Sequence, residues 1–118
     1  MKTILFYKTE SGRCPVKDYF DNLTDTQAQK VAWVLKLIRE LDYVPSNYLK
    51  KLVNTDGIWE VIIDIGKDTF RILCFFCDNE LIILTNFFQK KSRKTPIKEI
   101  NIAEQRKKEY LNRRKPNG

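Results

Sequence analysis

Histidine is absent from this 118-residue chain. Its absence removes the side chain that most often moves protons near neutral pH and most often ligates transition metals. Cysteine is scarce. The three present are an odd number, and Cys74 and Cys77 stand inside the apolar run ILCFFCD rather than at turns, which argues against a disulfide framework. Their C-x-x-C spacing has no second pair to complete a four-ligand zinc site, so no metal and no cofactor are expected. No run of about eighteen uncharged apolar residues is present to cross a bilayer. The opening MKTILFYKTESG has too short an apolar stretch and too many charges for a secretory signal. A cytoplasmic location, with no membrane partner, is the expectation. Length suits one domain over residues 1–118, and an aromatic content of 12% argues for a folded chain.

Acidic residues are short in one place only. Residues 1–88 carry 11 Lys/Arg against 12 Asp/Glu, a net charge of −1, whereas residues 89–118 carry 11 against 3, a net of +8. The whole excess of +7 therefore lies in the last quarter. Such asymmetry points to a polyanionic partner, nucleic acid being the commonest. The plainer alternative is a solvated, lysine-rich terminal helix.

The patterning predicts a strand over 2–8, broken by Gly12, then a short helix over 15–23 that Pro15 opens. Thr24-x-x-Gln27 is a capping-box signal for a longer helix. Ala28, Val31, Leu35, Ile38 and Leu41 follow its 3.6-residue period to about residue 43. The period then changes to two. Strands are predicted at 58–65, 69–76 and 81–88, joined by short turns as an antiparallel meander, with a shorter strand at 49–53. Thr95-Pro96 signals a C-terminal helix over 96–112 that frays through Arg113, Arg114, Lys115 and Pro116.

Two-residue turns centred on 66–67 and 78–79 allow the strand residues to be sorted by face. One face collects Trp59, Val61, Ile63, Ile65, Phe70, Ile72, Cys74, Phe76, Leu81, Ile83, Thr85 and Phe87, and must lie against helices. The other collects Glu60, Ile62, Asp64, Arg71, Asn86 and Phe88 at its polar end, and Leu73, Phe75, Ile82 and Leu84 as an apolar patch. Either the C-terminal helix or a partner protein covers that patch. Arg71, flanked by Phe70 and Ile72, sits where an arginine costs stability unless something pairs or uses it. A cross-strand pair with Glu60 or Asp64 is one reading, and an anion site is the other.

Four segments, in order, carry a family resemblance: Pro15-Val16 after a glycine turn, Ile58-Trp59-Glu60, Phe70-Arg71-Ile72-Leu73, and Phe87-Phe88-Gln89-Lys90-Lys91-Ser92-Arg93-Lys94-Thr95-Pro96. With Glu99, Ala103, Arg106 and Tyr110 following, the chain resembles the Gp49-like HigB branch of the RelE toxin superfamily. The resemblance implies an α+β, RelE-like fold: a twisted antiparallel sheet with two N-terminal helices packed on one face, and a C-terminal helix. It implies the toxin of a type II toxin–antitoxin system, a ribosome-dependent, metal-independent endoribonuclease acting on mRNA. The implied partners are the ribosome, its message, and a cognate antitoxin, often a helix-turn-helix DNA-binder. Arg71 matches the family arginine, Lys90 and Lys91 the lysine pair, and Phe88 lies just before them. One position departs: Ile62 stands where the family strand often has an arginine.

Metal-independent RNA cleavage needs the 2′-OH oriented on the adjacent phosphate, a proton taken, and developing charge stabilised. Arg71, with Lys90 or Lys91, suits the last task, because a guanidinium grips phosphate oxygens in a fork. Glu60 is a candidate base, or else the partner of Arg71; a lysine among like charges is another candidate. Phe88 is a candidate stacking platform for a base. Arg93 and Lys94, with Arg106 and Lys107 on the helix, are candidates for gripping RNA phosphates. The competing reading, which Ile62 favours, is a toxin-like protein that binds an antitoxin, the ribosome or a host protein without cutting RNA. A DNA-binding role comes last, since no helix-turn-helix pattern is present.

Overall fold

Thr24 accepts a hydrogen bond from the Gln27 N–H while the Gln27 side chain accepts one from the Thr24 N–H. This closed capping box fixes the start of the long helix where the sequence placed it. The computed structural model describes residues 1–114. Its elements are β1 (Thr3–Phe6), α1 (Pro15–Asp21), α2 (Asp25–Glu40), β2 (Leu49–Lys51), β3 (Trp59–Ile65), β4 (Asp68–Asp78), β5 (Leu81–Gln89) and α3 (Ile97–Arg114). Helix α3 runs through Arg113 and Arg114, and the expected fraying at Lys115 and Pro116 lies outside the described residues.

The fold is α+β, with three helices and a five-stranded sheet among the described residues, the strands in the order β1-β5-β4-β3-β2. Strands β2 to β5 are antiparallel neighbours, as the meander required. The sheet as a whole is mixed, not antiparallel, because β1 runs parallel to β5. A parallel pair needs a long crossover, and here everything between the two strands serves as one. Helices α1 and α2 cover one face, where Val16, Val31, Val34 and Ile38 meet Val61, Ile63, Phe70, Ile72 and Phe87. Helix α3 covers the other, where Ala103, Ile100, Tyr110 and Leu111 meet Leu73, Phe75, Ile83 and Phe88. Leu73 and Phe75 of the expected apolar patch are thus covered by the chain's own C-terminal helix.

The β3–β4 register is the expected one, with Ile65 opposite Asp68 and Ile62 opposite Arg71. The β4–β5 register departs from expectation in three ways. The turn falls one residue later, with Asp78 opposite Leu81 in place of Cys77 opposite Glu80, and Cys77 is the extra residue of a register shift. That single step turns residues 81–84 over, so Ile82 and Leu84 join the α1/α2 face and Leu81 and Ile83 the α3 face. A second shift at Leu73/Cys74 makes Thr85 extra and restores Phe87 to the first face. The two shifts carry one extra residue on each strand and cancel, so it is the displaced turn that places Phe88, and not Asn86, opposite Arg71. Thr85 is fully buried, and its hydroxyl lies 3.0 Å from the Leu73 carbonyl oxygen and 2.6 Å from Asn86 Oδ1.

Burial with no charged neighbour pushes the Cys74 thiol up to about 12. Cys14 and Cys77 are only half-buried. Two outcomes are expected. At pH 8 an aromatic disulfide reagent modifies two thiols of the native protein and the third only after denaturation; three fast thiols would contradict the burial of Cys74. Replacing Thr85 with Val strands the polar groups at the bulge and lowers urea stability by about 1–3 kcal/mol.

Candidate functional site

The site begins with a carboxylate inside the protein. Glu60, on β3, is wholly buried. Its neighbours in sequence, Trp59 and Val61, face α2, so the strand's alternation sends Glu60 to the α3 side. There the Thr95 hydroxyl donates to Oε2, and Oε1 faces Arg71 Nε at 3.5 Å. Neither Oε1 nor Nε has a hydrogen-bond partner among the described residues, so this contact is an ion pair alone. The Arg71 head group is held at a second point, where Nη1 donates to the Phe70 carbonyl at 2.8 Å and lies 3.3 Å from Asp64 Oδ1. Both cross-strand partners offered by the sequence are therefore engaged. Nη2 makes no hydrogen bond among the described residues.

Arg71 reaches an open depression lined by Thr69, Arg71, Lys90, Lys91, Ser92 and Arg93. Four of the six carry positive charge and none is acidic. The loop that supplies most of them is fixed at both ends. At one end the Lys90 N–H donates to the Thr69 carbonyl at 2.7 Å; at the other, Thr95 holds Glu60. Within the loop, Ser92 Oγ donates to the Lys94 carbonyl at 2.8 Å. Lys91, Arg93 and Lys94 are exposed and Lys90 half-buried. None of these four cations forms an ion pair among the described residues.

The remaining candidates lie elsewhere. Phe88 is the β5 partner of Arg71 but packs beneath α3 with 9% exposure, so its ring supports the site from below. Arg106 donates to the Thr85 carbonyl at 2.7 Å and lies 5.4 Å from the Tyr7 ring centroid. Lys107 donates to the Asp56 carbonyl at 2.6 Å. Both cations pin α3 to the sheet. Arg113 does the same at the helix end, donating to the Lys8 carbonyl and sitting over Tyr7. The Arg113 guanidinium, with the Tyr7 hydroxyl behind it, holds Glu109 below the usual carboxylate range. Much of the helix's positive charge thus serves the fold, and the unengaged charge gathers in the loop before it.

The matched model is that of the family described as phage derived protein Gp49-like (DUF891), and the match covers residues 18–108. The chain belongs to that family. No curated protein matches it. The Gp49-like family is associated with RelE-like toxins. In this Gp49-like chain the matched span holds the whole cluster from Glu60 to Thr95 and all but the last turns of α3.

Two links of the site were invisible to patterning. Thr95 reads in sequence as a helix cap, yet its hydroxyl is spent on Glu60, and the Pro96 carbonyl instead accepts the Glu99 and Ile100 N–H groups. Asn86 donates to Glu99 Oε1 at 2.9 Å, tying the start of α3 to the bulge. A polar residue on a strand face that also carries an apolar patch, as Glu60 and Asn86 both are, was the available signal that such partners exist.

Removing one partner of a buried ion pair leaves the other charge uncompensated. Arg71→Ala is therefore expected to lower stability by about 3–5 kcal/mol, and Glu60→Ala, Arg71→Ala together by less than the sum. Chemical denaturation of the four species of this cycle measures it; strict additivity would show that the two side chains do not interact.

Proposed function

We propose that this chain is the toxin of a toxin–antitoxin pair and cuts mRNA on the ribosome without a metal, its scissile phosphate lying against Arg71 and the loop Lys90–Lys94. One observation carries the reading: four cations converge on one open depression with no carboxylate among its lining residues. Such a surface binds phosphates, and in a toxin-associated family the polyanion to consider first is RNA. The RelE-like arrangement, the HigB affinity, the ribosome and the antitoxin partner belong to this proposal through the resemblance of the motifs.

In the proposed mechanism the 2′-OH gives up its proton and bonds to the adjacent phosphorus as the P–O5′ bond breaks, leaving a 2′,3′-cyclic phosphate and a 5′-oxygen that takes up a proton from water or a loop lysine. Arg71 Nη2, with Lys90 or Lys91, receives the charge that builds on the phosphate oxygens. Glu60 takes the second of its two candidate roles. With one oxygen held by Thr95 and the other facing Arg71, it positions the guanidinium, and its complete burial keeps it from a substrate proton. The base then falls to a loop lysine or to the ribosome-bound RNA itself. Arg93 and Lys94 grip flanking phosphates, which makes binding fall with salt.

A second reading has a specific observation behind it. Ile62 is half-buried directly across from Arg71, and the arginine expected there by resemblance would stand beside the same depression. A site short of one charge suits a protein that binds its target without cutting.

In vitro translation with purified protein, followed by mapping of message 5′ ends, separates the two. Cleavage inside the reading frame is expected, lowered by about 10²-fold in the Lys90→Ala, Lys91→Ala double variant. Arg71→Lys is the informative change at that position, because it keeps the charge beside Glu60 and removes only the fork. Intact message with the wild type, and cleavage with Ile62→Arg, would favour the binding reading.

A further inference from the structure

The sheet has a free edge whose surroundings are charged in one sense. The Thr3 N–H donates to the Glu80 carbonyl and the Tyr7 N–H to that of Leu84, so the odd-numbered residues of β1 turn their backbone groups toward β5. The N–H and C=O groups of Ile4 and Phe6 then point off the edge of the sheet. They have no hydrogen-bond partner among the described residues. Such an edge is a template for another strand.

Two depressions meet along it, one on each side. The first lies between β1 and α2 and is lined by Ile4, Phe6, Leu35, Lys36 and Arg39 among others. The second is bordered by Leu5, Lys8, Lys17, Tyr110 and Arg113. Ile4 and Phe6 line both. No acidic residue lines either one. Lys8, Lys36 and Arg39 form no ion pair among the described residues. Leu5 is 44% exposed, between the half-buried Ile4 and Phe6.

We propose that the outer edge of β1 takes an extended, acidic segment of a partner protein as a sixth strand. Backbone groups of Ile4 and Phe6 supply the ladder. The two depressions receive alternate side chains, the arrangement that gives strand addition its selectivity. The cations fix the sign of the partner. They also argue against a second copy of this chain as the occupant, because two β1 edges brought together set like charges face to face. The proposal does not depend on RNA cleavage, and its test contains no RNA.

The probe is a capped eight-residue peptide of alternating Glu and Val, beside its Lys and Val counterpart, titrated into the full-length protein and followed by amide NMR and hydrogen exchange. The Glu peptide is expected to shift the Ile4 and Phe6 amides and slow their exchange at least tenfold, with no such effect from the Lys peptide. Ile4→Pro removes an outward N–H while sparing the β5 ladder, and is expected to abolish the effect. Lys36→Glu with Arg39→Glu weakens binding at least tenfold and keeps the test alive if the proline variant does not fold. Shifts confined to residues 90–94, equal binding of both peptides, or no protection at millimolar peptide would each overturn the proposal. Self-association of the free protein through β1 would overturn it as well.

Discussion

The candidate site rests on one buried ion pair. Glu60 is sealed within the protein, and its carboxylate has only the Thr95 hydroxyl and the Arg71 guanidinium to answer it. Burying two charges costs several kcal/mol per ion before their attraction is counted, and well-packed apolar residues in their place are often no less stable. A pair kept under those terms is better explained by what it positions than by what it stabilises. Here it fixes the guanidinium from the inside, with Nε toward Glu60 and Nη1 on the Phe70 carbonyl, while the group as a whole borders a basic depression. Thr95 extends the same constraint to the loop, so the spacing between Arg71 and the lysines is set by the buried carboxylate.

The two register shifts in β4–β5 carry one extra residue on each strand, so they cancel and leave Phe88 across from Arg71, where the turn between Asp78 and Leu81 already puts it. Between them residues 81–84 are turned over, which sets Ile83 beneath α3 and Ile82 and Leu84 against α1 and α2. Past the second shift Asn86 holds Glu99 at the start of α3. Bulges cost ladder hydrogen bonds, and the Thr85 hydroxyl recovers part of that loss at the Leu73 carbonyl.

Much of this was legible in the sequence. The capping box, the change of period from 3.6 to two, and the tight turn at Gly66 located seven of the eight elements to within a few residues, and the weak signal near 49–53 located β2. The pairing of Ile62 with Arg71 followed from that turn alone. Bulges escaped because nothing in a single chain marks an extra residue until its partner strand is known; the alternation of 81–88 reads equally well in either register. The parallel pairing of β1 with β5 escaped for a related reason, since a strand at the chain's start carries no turn signal to name its neighbour. At the site, residue types were readable and hydrogen bonds were not. The basic loop declared itself by charge, whereas Arg106 and Lys107 carry the same charge and are absorbed by the Thr85 and Asp56 carbonyls.

The most direct test of the central claim is nitrogen-15 NMR of the Arg71 guanidinium during titration with a 2′-O-methyl oligoribonucleotide that cannot be cleaved. The account predicts an Nε–H that exchanges slowly before any RNA is added, because it is buried against Glu60, and RNA-induced shifts that fall on Arg71 and residues 90–94. An Nε–H that exchanges as freely as that of a surface arginine, with RNA shifts on the exposed face of α3 instead, would contradict it.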